Sequence, residues 1–305
     1  MLVLFSVVNA KQAEFSSPVL HAQSISLLPF ASVDVSVFSP LPKPKPTFSF
    51  PPEPDILAHS YMVQLIGDDL PLLQRRSMKQ MRPASLTKVL TSTIALEELD
   101  AKSPVVFSSF AKATGEKESS VPKGESFVRN DVIRFAMIES ANDAAVALAE
   151  AVGRKRGAFS FDDAISLFVQ AANQKAKSLG MMDSHFENPT GLDNDDHYTT
   201  AQDLFRLVSY AWDKHLEVWE FSRAVDADIA SMTDKAYHIE ATNELLKEFP
   251  ALLGGKTGLT DLAKGALILL YPVHPDRTAV IVILGSDDRF GDGRKLIHWL
   301  EQAFN

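Results

Sequence analysis

Ala266-Leu267-Ile268-Leu269-Leu270-Tyr271, a turn at His274-Pro275-Asp276, then Ala279-Val280-Ile281-Val282-Ile283-Leu284: this stretch decides the fold. Two apolar runs around a turn predict a β-hairpin. Neither run alternates with polar residues, so both faces of each strand are expected to be covered. Near the other end, Tyr61-Met62-Val63-Gln64-Leu65-Ile66 reads as a third strand. Gly67-Asp68-Asp69 reads as a turn, and Leu70 to Gln74 as a short returning strand. Strands at both ends with a helical middle imply one sheet assembled from both termini.

The middle carries helical periods. A helix from Ser85 to about Leu99 has Leu86, Val89, Leu90, Ile94 and Leu96 as its apolar stripe. Residues 131–152 and 162–179 predict two more. The first carries Val132, Ile133, Phe135, Ala136 and Ile138, the second Ile165, Phe168, Val169, Ala172 and Ala176. Thr199 or Thr200 caps a helix through Trp212, with Gln202 or Asp203 three residues on. A last helix is expected from about Gly293 to Phe304.

The chain has 305 residues, a formal net charge of -9 and no cysteine. That charge argues against nucleic-acid binding, which needs a basic face for phosphates. The lack of cysteine excludes disulfides, thiolate metal sites and a thiol nucleophile. No apolar run reaches the roughly 18 residues of a membrane-spanning helix. The start, Met1 to Ala10, is apolar and resembles the end of a secretory signal's core without its basic stretch. The alternative is a plain irregular N-terminus. Pro40, Pro42, Pro44, Pro46, Pro51, Pro52 and Pro54 predict an extended polyproline-II spacer. Residues 1–54 therefore read as a signal or anchor remnant plus linker, and residues 55–305 as the folded, catalytic domain.

Three short motifs carry chemistry. Ser-x-x-Lys occurs at Ser85/Lys88, Ser109/Lys112 and Ser120/Lys123. Pro122 interrupts the last, and Gly115 shortens any helix at the second. Only Ser85 opens a long amphipathic helix, which places both side chains on one face. A serine hydroxyl needs a base, and Lys88 serves only if neutral. Burial and a second cation lower a lysine pKa, and Lys256 is the expected second cation. Ser140-Ala141-Asn142 interrupts an apolar helical stretch, where polar groups need partners. Lys256-Thr257-Gly258 follows Gly254-Gly255. A strand edge there would bind an extended peptide and offer the Leu259 amide to an acyl oxygen. Taken singly, each motif also fits a helix cap, a helix break or a glycine-rich loop.

Together and in order, the motifs form the signature of penicillin-binding proteins and class A β-lactamases. The chain resembles the low-molecular-weight penicillin-binding proteins of the D-alanyl-D-alanine carboxypeptidase family from about Asp55 to Phe304. Pro83 to Lys88, Ser140-Ala141-Asn142-Asp143-Ala144-Ala145, Phe186 to Asp193, Tyr198-Thr199-Thr200-Ala201 and Gly255 to Gly258 carry the likeness. The resemblance implies an α/β fold with an antiparallel sheet flanked by helices, plus a mostly helical subdomain. It implies Ser85 as nucleophile, Lys88 as base and Ser140 as proton relay. Asn142, Lys256, Thr257 and Gly258 would bind substrate, and the amides of Ser85 and Leu259 would form the oxyanion hole. It implies peptidoglycan stem peptides as substrates, β-lactam antibiotics as inhibitors, and an extracytoplasmic location with membrane contact only through the N-terminus. No cofactor or metal is implied, and the eight histidines show no His-Glu-x-x-His spacing.

Two departures stand out. Lys264 follows Ala263 where the family usually has glycine, and Gly285-Ser286-Asp287-Asp288 occupies the neighbourhood of a strand arginine that binds carboxylate. Arg289 is the substitute at hand. The rival readings are a catalytically silent wall-peptide binder and a β-lactamase. A class A lactamase deacylates with a Glu-x-x-Leu-Asn loop, and the chain has no Leu-Asn pair. The motif choice has a direct check. Ser85→Ala is expected to abolish the covalent penicillin adduct seen by intact mass, while Ser109→Ala and Ser120→Ala retain it. An adduct mapped to either of those two serines would reverse the assignment.

Overall fold

The computed structural model of the chain describes residues 50–304. The apolar start and the proline spacer through Pro46 lie outside the described residues. The chain opens with β1 (Ser60–Leu65), β2 (Leu73–Arg75), α1 (Thr87–Glu98), β3 (Pro104–Val106) and β4 (Ser126–Val128). Then come α2 (Arg129–Arg134), α3 (Asn142–Lys155), α4 (Phe161–Ser178), α5 (Ala201–Lys214) and α6 (Glu217–Ser222). It closes with β5 (Asp226–Ala230), β6 (Ala236–Glu240), α7 (Leu245–Glu248), β7 (Gly254–Thr260), β8 (Lys264–His274), β9 (Arg277–Ser286) and α8 (Arg289–Phe304).

The main sheet has the order β2-β1-β9-β8-β7 with every pair antiparallel. The expected hairpin is β8–β9, and the early strand β1 lies beside β9, so both ends of the chain build one sheet. Successive side chains face opposite layers. Tyr61, Val63, Leu267, Leu269, Ile281 and Ile283 pack with Leu296, Ile297 and Leu300 of α8. Met62, Ile268, Leu270, Val280 and Val282 join Val89 and Leu90 of α1 and Leu204 and Leu207 of α5. Each such buried side chain contributes about 1.5–3 kcal/mol. A one-residue slip would exchange the two sets, so the register is firmly set. The expected class, an antiparallel sheet flanked by helices with a mostly helical subdomain, is the one observed.

Three boundaries differ from expectation. The helix expected over 131–152 is broken. A π-helical turn, Phe135–Glu139, follows α2, and Ser140 takes φ 65 before α3 begins. This break turns Ser140 fully inward. The final helix starts at Arg289 rather than Gly293, because the Asp288 carboxylate accepts the Gly291 N–H at 2.9 Å as a cap. Contacts with the folded body also begin before Asp55. Phe50 stacks on Trp299 at 5.6 Å, and the Trp299 indole donates to the Pro51 carbonyl at 3.0 Å. Buried Asp292 then accepts the N–H groups of Leu57 and Ala58, each at 2.9 Å.

Lys264, the residue in place of the family's usual glycine, lies at φ 57, and its ammonium pairs with Asp287 at 2.5 Å. Both groups are exposed, so the pair does little to offset the left-handed strain at Lys264.

Two glycines hold the turn that carries Ser85. A Cβ at Gly191 would lie 1.7 Å from the Ala84 carbonyl oxygen, and one at Gly258 would lie 3.1 Å from the Ser85 nitrogen. Gly191 and Gly124 share φ 87, but nothing lies within 4 Å of a Cβ at Gly124. Gly191→Ala is therefore expected to lose about 1–3 kcal/mol more than Gly124→Ala. Thermal unfolding of the two variants measures the gap, and equal losses would mean that Gly191 does not clamp the turn.

Candidate active site

Ser85 sits in a 3-10 turn, Ala84–Leu86, that leads into α1. The preceding Ala84 has φ 49, an uncommon conformation for a residue with a side chain. Close packing on Gly191 and Gly258 sustains it. The sharp turn leaves Ser85 at the floor of a cleft of about 280 Å³, lined also by Lys117, Asn142, Leu192, Leu259 and Thr260.

Lys88 lies one turn beyond Ser85 and is 0% exposed. Its Nζ is 2.8 Å from Ser85 Oγ, 2.7 Å from Asn142 Oδ1 and 2.9 Å from the Thr190 carbonyl. Two of these partners accept only. A neutral amine has two N–H donors and one lone pair. The donors match Asn142 and Thr190, and the lone pair is left facing the Ser85 hydroxyl. Burial holds the Lys88 pKa well below its usual value, and the charge on Lys117 lowers it further.

Asn142 opens α3 and is itself held by a loop. Its N–H donates to the Lys117 carbonyl at 2.9 Å and its Nδ2 to the Glu116 carbonyl at 2.8 Å. That loop is pinned by Lys112, whose ammonium meets buried Asp143 at 2.6 Å and the Ser119 carbonyl at 2.9 Å. The competing Ser109/Lys112 motif is thereby accounted for as scaffold. Ser109 and Ser120 are exposed.

On the other wall, buried Lys256 Nζ is 2.8 Å from Ser140 Oγ and 2.9 Å from the Thr257 carbonyl. Burial lowers the Lys256 pKa, followed by Lys88, Lys117 and Arg289. The expected Lys88–Lys256 repulsion is mutual, and the charge on Lys117 adds to it at both amines. Thr257 and Thr242 hydroxyls meet at 2.6 Å. Arg289 packs over Gly265, and its buried Nε has no hydrogen-bond partner among the described residues.

Behind the Ser85 turn, His197 Nε2 lies 3.0 Å from Thr87 Oγ1, and its Nδ1 accepts the Glu187 N–H at 3.3 Å. Burial, and then His185, push its pKa down to about 4, so the ring is neutral at pH 7. The accepting Nδ1 places the proton on Nε2, which donates to Thr87.

The comparisons fit this geometry. A family model for D-alanyl-D-alanine carboxypeptidases matches residues 49–287. The chain belongs to that family. It is 31% identical over 239 residues to D-alanyl-D-alanine carboxypeptidase DacF of Bacillus subtilis, covering 77% of this chain and 59% of that protein. It is 29% identical over 230 residues to a D-alanyl-D-alanine endopeptidase of Escherichia coli, covering 72% of this chain and 70% of that one. The crystal structure of a Streptomyces DD-transpeptidase shares the fold, with a TM-score of 0.75 at 21% identity over 82% of this chain and 98% of that chain.

Within the family frame, the structure brings together Ser85, Lys88 and Asn142 on one wall, and Ser140, Lys256 and Thr257 on the other. Gly258 and Leu259 continue the edge strand β7 past Ser85. Ser140 bonds Lys256, and no Ser140–Lys88 hydrogen bond occurs among the described residues. Sequence reasoning gave no role to Lys117, Thr190 or Thr242, although Thr242-Asn243 also belongs to the family likeness. Thr190 lies inside the quoted Phe186 to Asp193 run, and Lys117 lies two residues before Ser119-Ser120. Neither position carried a chemical signal.

The sign of the Lys117 effect gives a test. Lys88, as the expected base, must be neutral, so acylation is expected to slow as pH drops through the Lys88 pKa. Lys117→Met removes a repelling charge, raises that pKa and is expected to move the acidic limb of the acylation profile to higher pH. Stopped-flow acylation by a chromogenic β-lactam across pH measures the limb. A limb that stays put would remove Lys117 from the electrostatics of Lys88.

Proposed function

We propose that the chain is a serine-type D-Ala-D-Ala carboxypeptidase that removes the terminal D-alanine of peptidoglycan stem peptides. One observation carries the reading: the Lys88 amine is fully buried, gives its donors to two carbonyls and faces the Ser85 hydroxyl at 2.8 Å. That is the arrangement of an activated nucleophile.

In the proposed reaction the peptide lies along the exposed edge of β7, and Thr257, Lys256 and Arg289 receive its terminal carboxylate. Lys88 takes the Ser85 proton as Oγ bonds to the carbonyl carbon of the penultimate residue. The developing oxyanion meets the amides of Ser85 and Leu259, a device whose loss costs about 10²–10³ in rate. The C–N bond breaks, and the proton returns through the Ser140 hydroxyl to the leaving nitrogen of D-alanine. Water then adds to the ester, with Lys88 again as base, and restores Ser85. β-Lactams acylate the same serine. Substrates of this class place the protein outside the cytoplasm. The described residues contain no helix long and apolar enough to cross a membrane.

The carboxylate in the cleft wall, Glu116, is exposed and presents its carbonyl to Asn142. The chain also lacks the Leu-Asn pair of a lactamase's deacylating loop. The protein is expected to release D-alanine from a D-Ala-D-Ala peptide and to stay trapped by penicillin for minutes to hours. Lys88→Ala is expected to slow acylation by about 10²–10⁴ or more. D-Alanine release and the lifetime of the adduct by intact mass measure both. Rapid multiple turnover of penicillin without D-alanine release would overturn the reading.

A further inference from the structure

Lys117 is a cation without a counter-ion at the mouth of the cleft. Among the described residues its ammonium forms no ion pair, and the one charge that bears on its proton affinity is the like charge of Arg289. Its own field reaches Lys88 and Lys256. Glu116, in the same wall, does not neutralise it. The residue is exposed to solvent.

Its backbone is held in place at a cost. Lys117 has φ 46, in the left-handed region that disfavours side chains. The bond from the Asn142 N–H to the Lys117 carbonyl at 2.9 Å fixes that conformation, and the Lys112–Asp143 pair at 2.6 Å secures the loop. The strained backbone serves Asn142, whereas the ammonium, set among like charges with no counter-ion among the described residues, makes no bond that folding requires. Such an ammonium suits a site that receives an anion.

The strand order says which anion. Lys256 and Thr257 precede Gly258 on β7 and serve the leaving residue in the proposed reaction. Leu259 and Thr260 follow it, and Lys117 lines the same cleft as these two. A peptide whose last residue sits at Thr257 therefore carries its upstream residues past Lys117. We propose that Lys117 is a specificity-determining residue that binds a carboxylate on the acyl-donor side of the peptide, upstream of the scissile bond. This inference rests on the carboxypeptidase reading above.

The test compares matched pairs in the full chain. One pair is two D-Ala-D-Ala peptides that differ only in a free or amidated side-chain carboxylate on the residue before the first D-alanine. The other is two penicillins, one with a carboxylate on its acyl side chain and one with an uncharged benzyl group. The parent is expected to favour the carboxylate member of each pair by about tenfold, as a charge-assisted hydrogen bond allows. Lys117→Met should bring the ratio within twofold, Lys117→Glu should invert it, and Lys117→Arg should preserve it. A changed proton affinity of Lys88 acts on both members equally and cancels in the ratio. No preference in the parent, or an unchanged ratio in Lys117→Met, would overturn the inference. The penicillin pair reads acylation alone. A responsive penicillin ratio without D-alanine release would defeat the carboxypeptidase reading and keep the anion site. D-Alanine release with unresponsive ratios would do the opposite.

Discussion

The burial of the Lys88 amine is the constraint on which the rest of the molecule depends. A charged ammonium at that depth would cost several kcal/mol, so the group must be neutral or fully paired. Its three partners come from separate parts of the chain: the Ser85 turn, the first residue of α3 and the loop at Thr190. Satisfying one nitrogen thus ties the helical subdomain to the layer packed on the sheet. α1 is buried nearly all round although it carries Thr91, Ser92 and Thr93, and the Ser92 hydroxyl has no partner among the described residues. Thr91 donates to the Pro189 carbonyl at 2.7 Å and Thr93 to the Val89 carbonyl at 2.8 Å, so neither hydroxyl is left unpaired.

Three of the six non-glycine residues with positive φ among the described residues lie around this amine. Ala84 at φ 49, Lys117 at φ 46 and Ser140 at φ 65 are all non-glycine residues in the left-handed region. Each costs of order 1–3 kcal/mol. Each also aims a group that regular structure would misdirect. Ala84 presents Ser85, Ser140 turns its hydroxyl inward to Lys256, and Lys117 offers its carbonyl to Asn142. Contacts elsewhere hold these conformations, notably the close approach of Gly191 and Gly258 to the Ser85 turn.

Charge gives the cleft its chemical character. The chain is acidic overall, with a net charge of -9, yet Lys88, Lys117, Lys256 and Arg289 converge on one site. Mutual repulsion and burial favour loss of a proton from the most enclosed lysines. The same field attracts an anionic peptide terminus. Base activation and substrate attraction are therefore two effects of one cluster. In the proposed reaction Arg289, from the start of α8, takes the place of the strand arginine.

The sequence alone determined the sheet strands from the two ends of the chain and pointed to the candidate pair Ser85 and Lys88. The hairpin at 266–284 and the strand at 61–66 were legible because their apolar runs are long and turn-bounded, and burial on both faces needs no knowledge of a partner. Ser85 and Lys88 were legible because i and i+3 on a helix is a local relation. The tertiary structure decided everything that depends on residues distant in sequence. The break at Ser140 is invisible in a periodic apolar stretch, since the Lys256 amine that receives its hydroxyl lies 116 residues away. The small strand pairs β3–β4 and β5–β6 are too short to carry a period. Lys117 looked like any surface lysine. Only the fold places its charge beside a buried amine, because electrostatic energy depends on separation in space and on the dielectric between the groups, and neither is written along the chain.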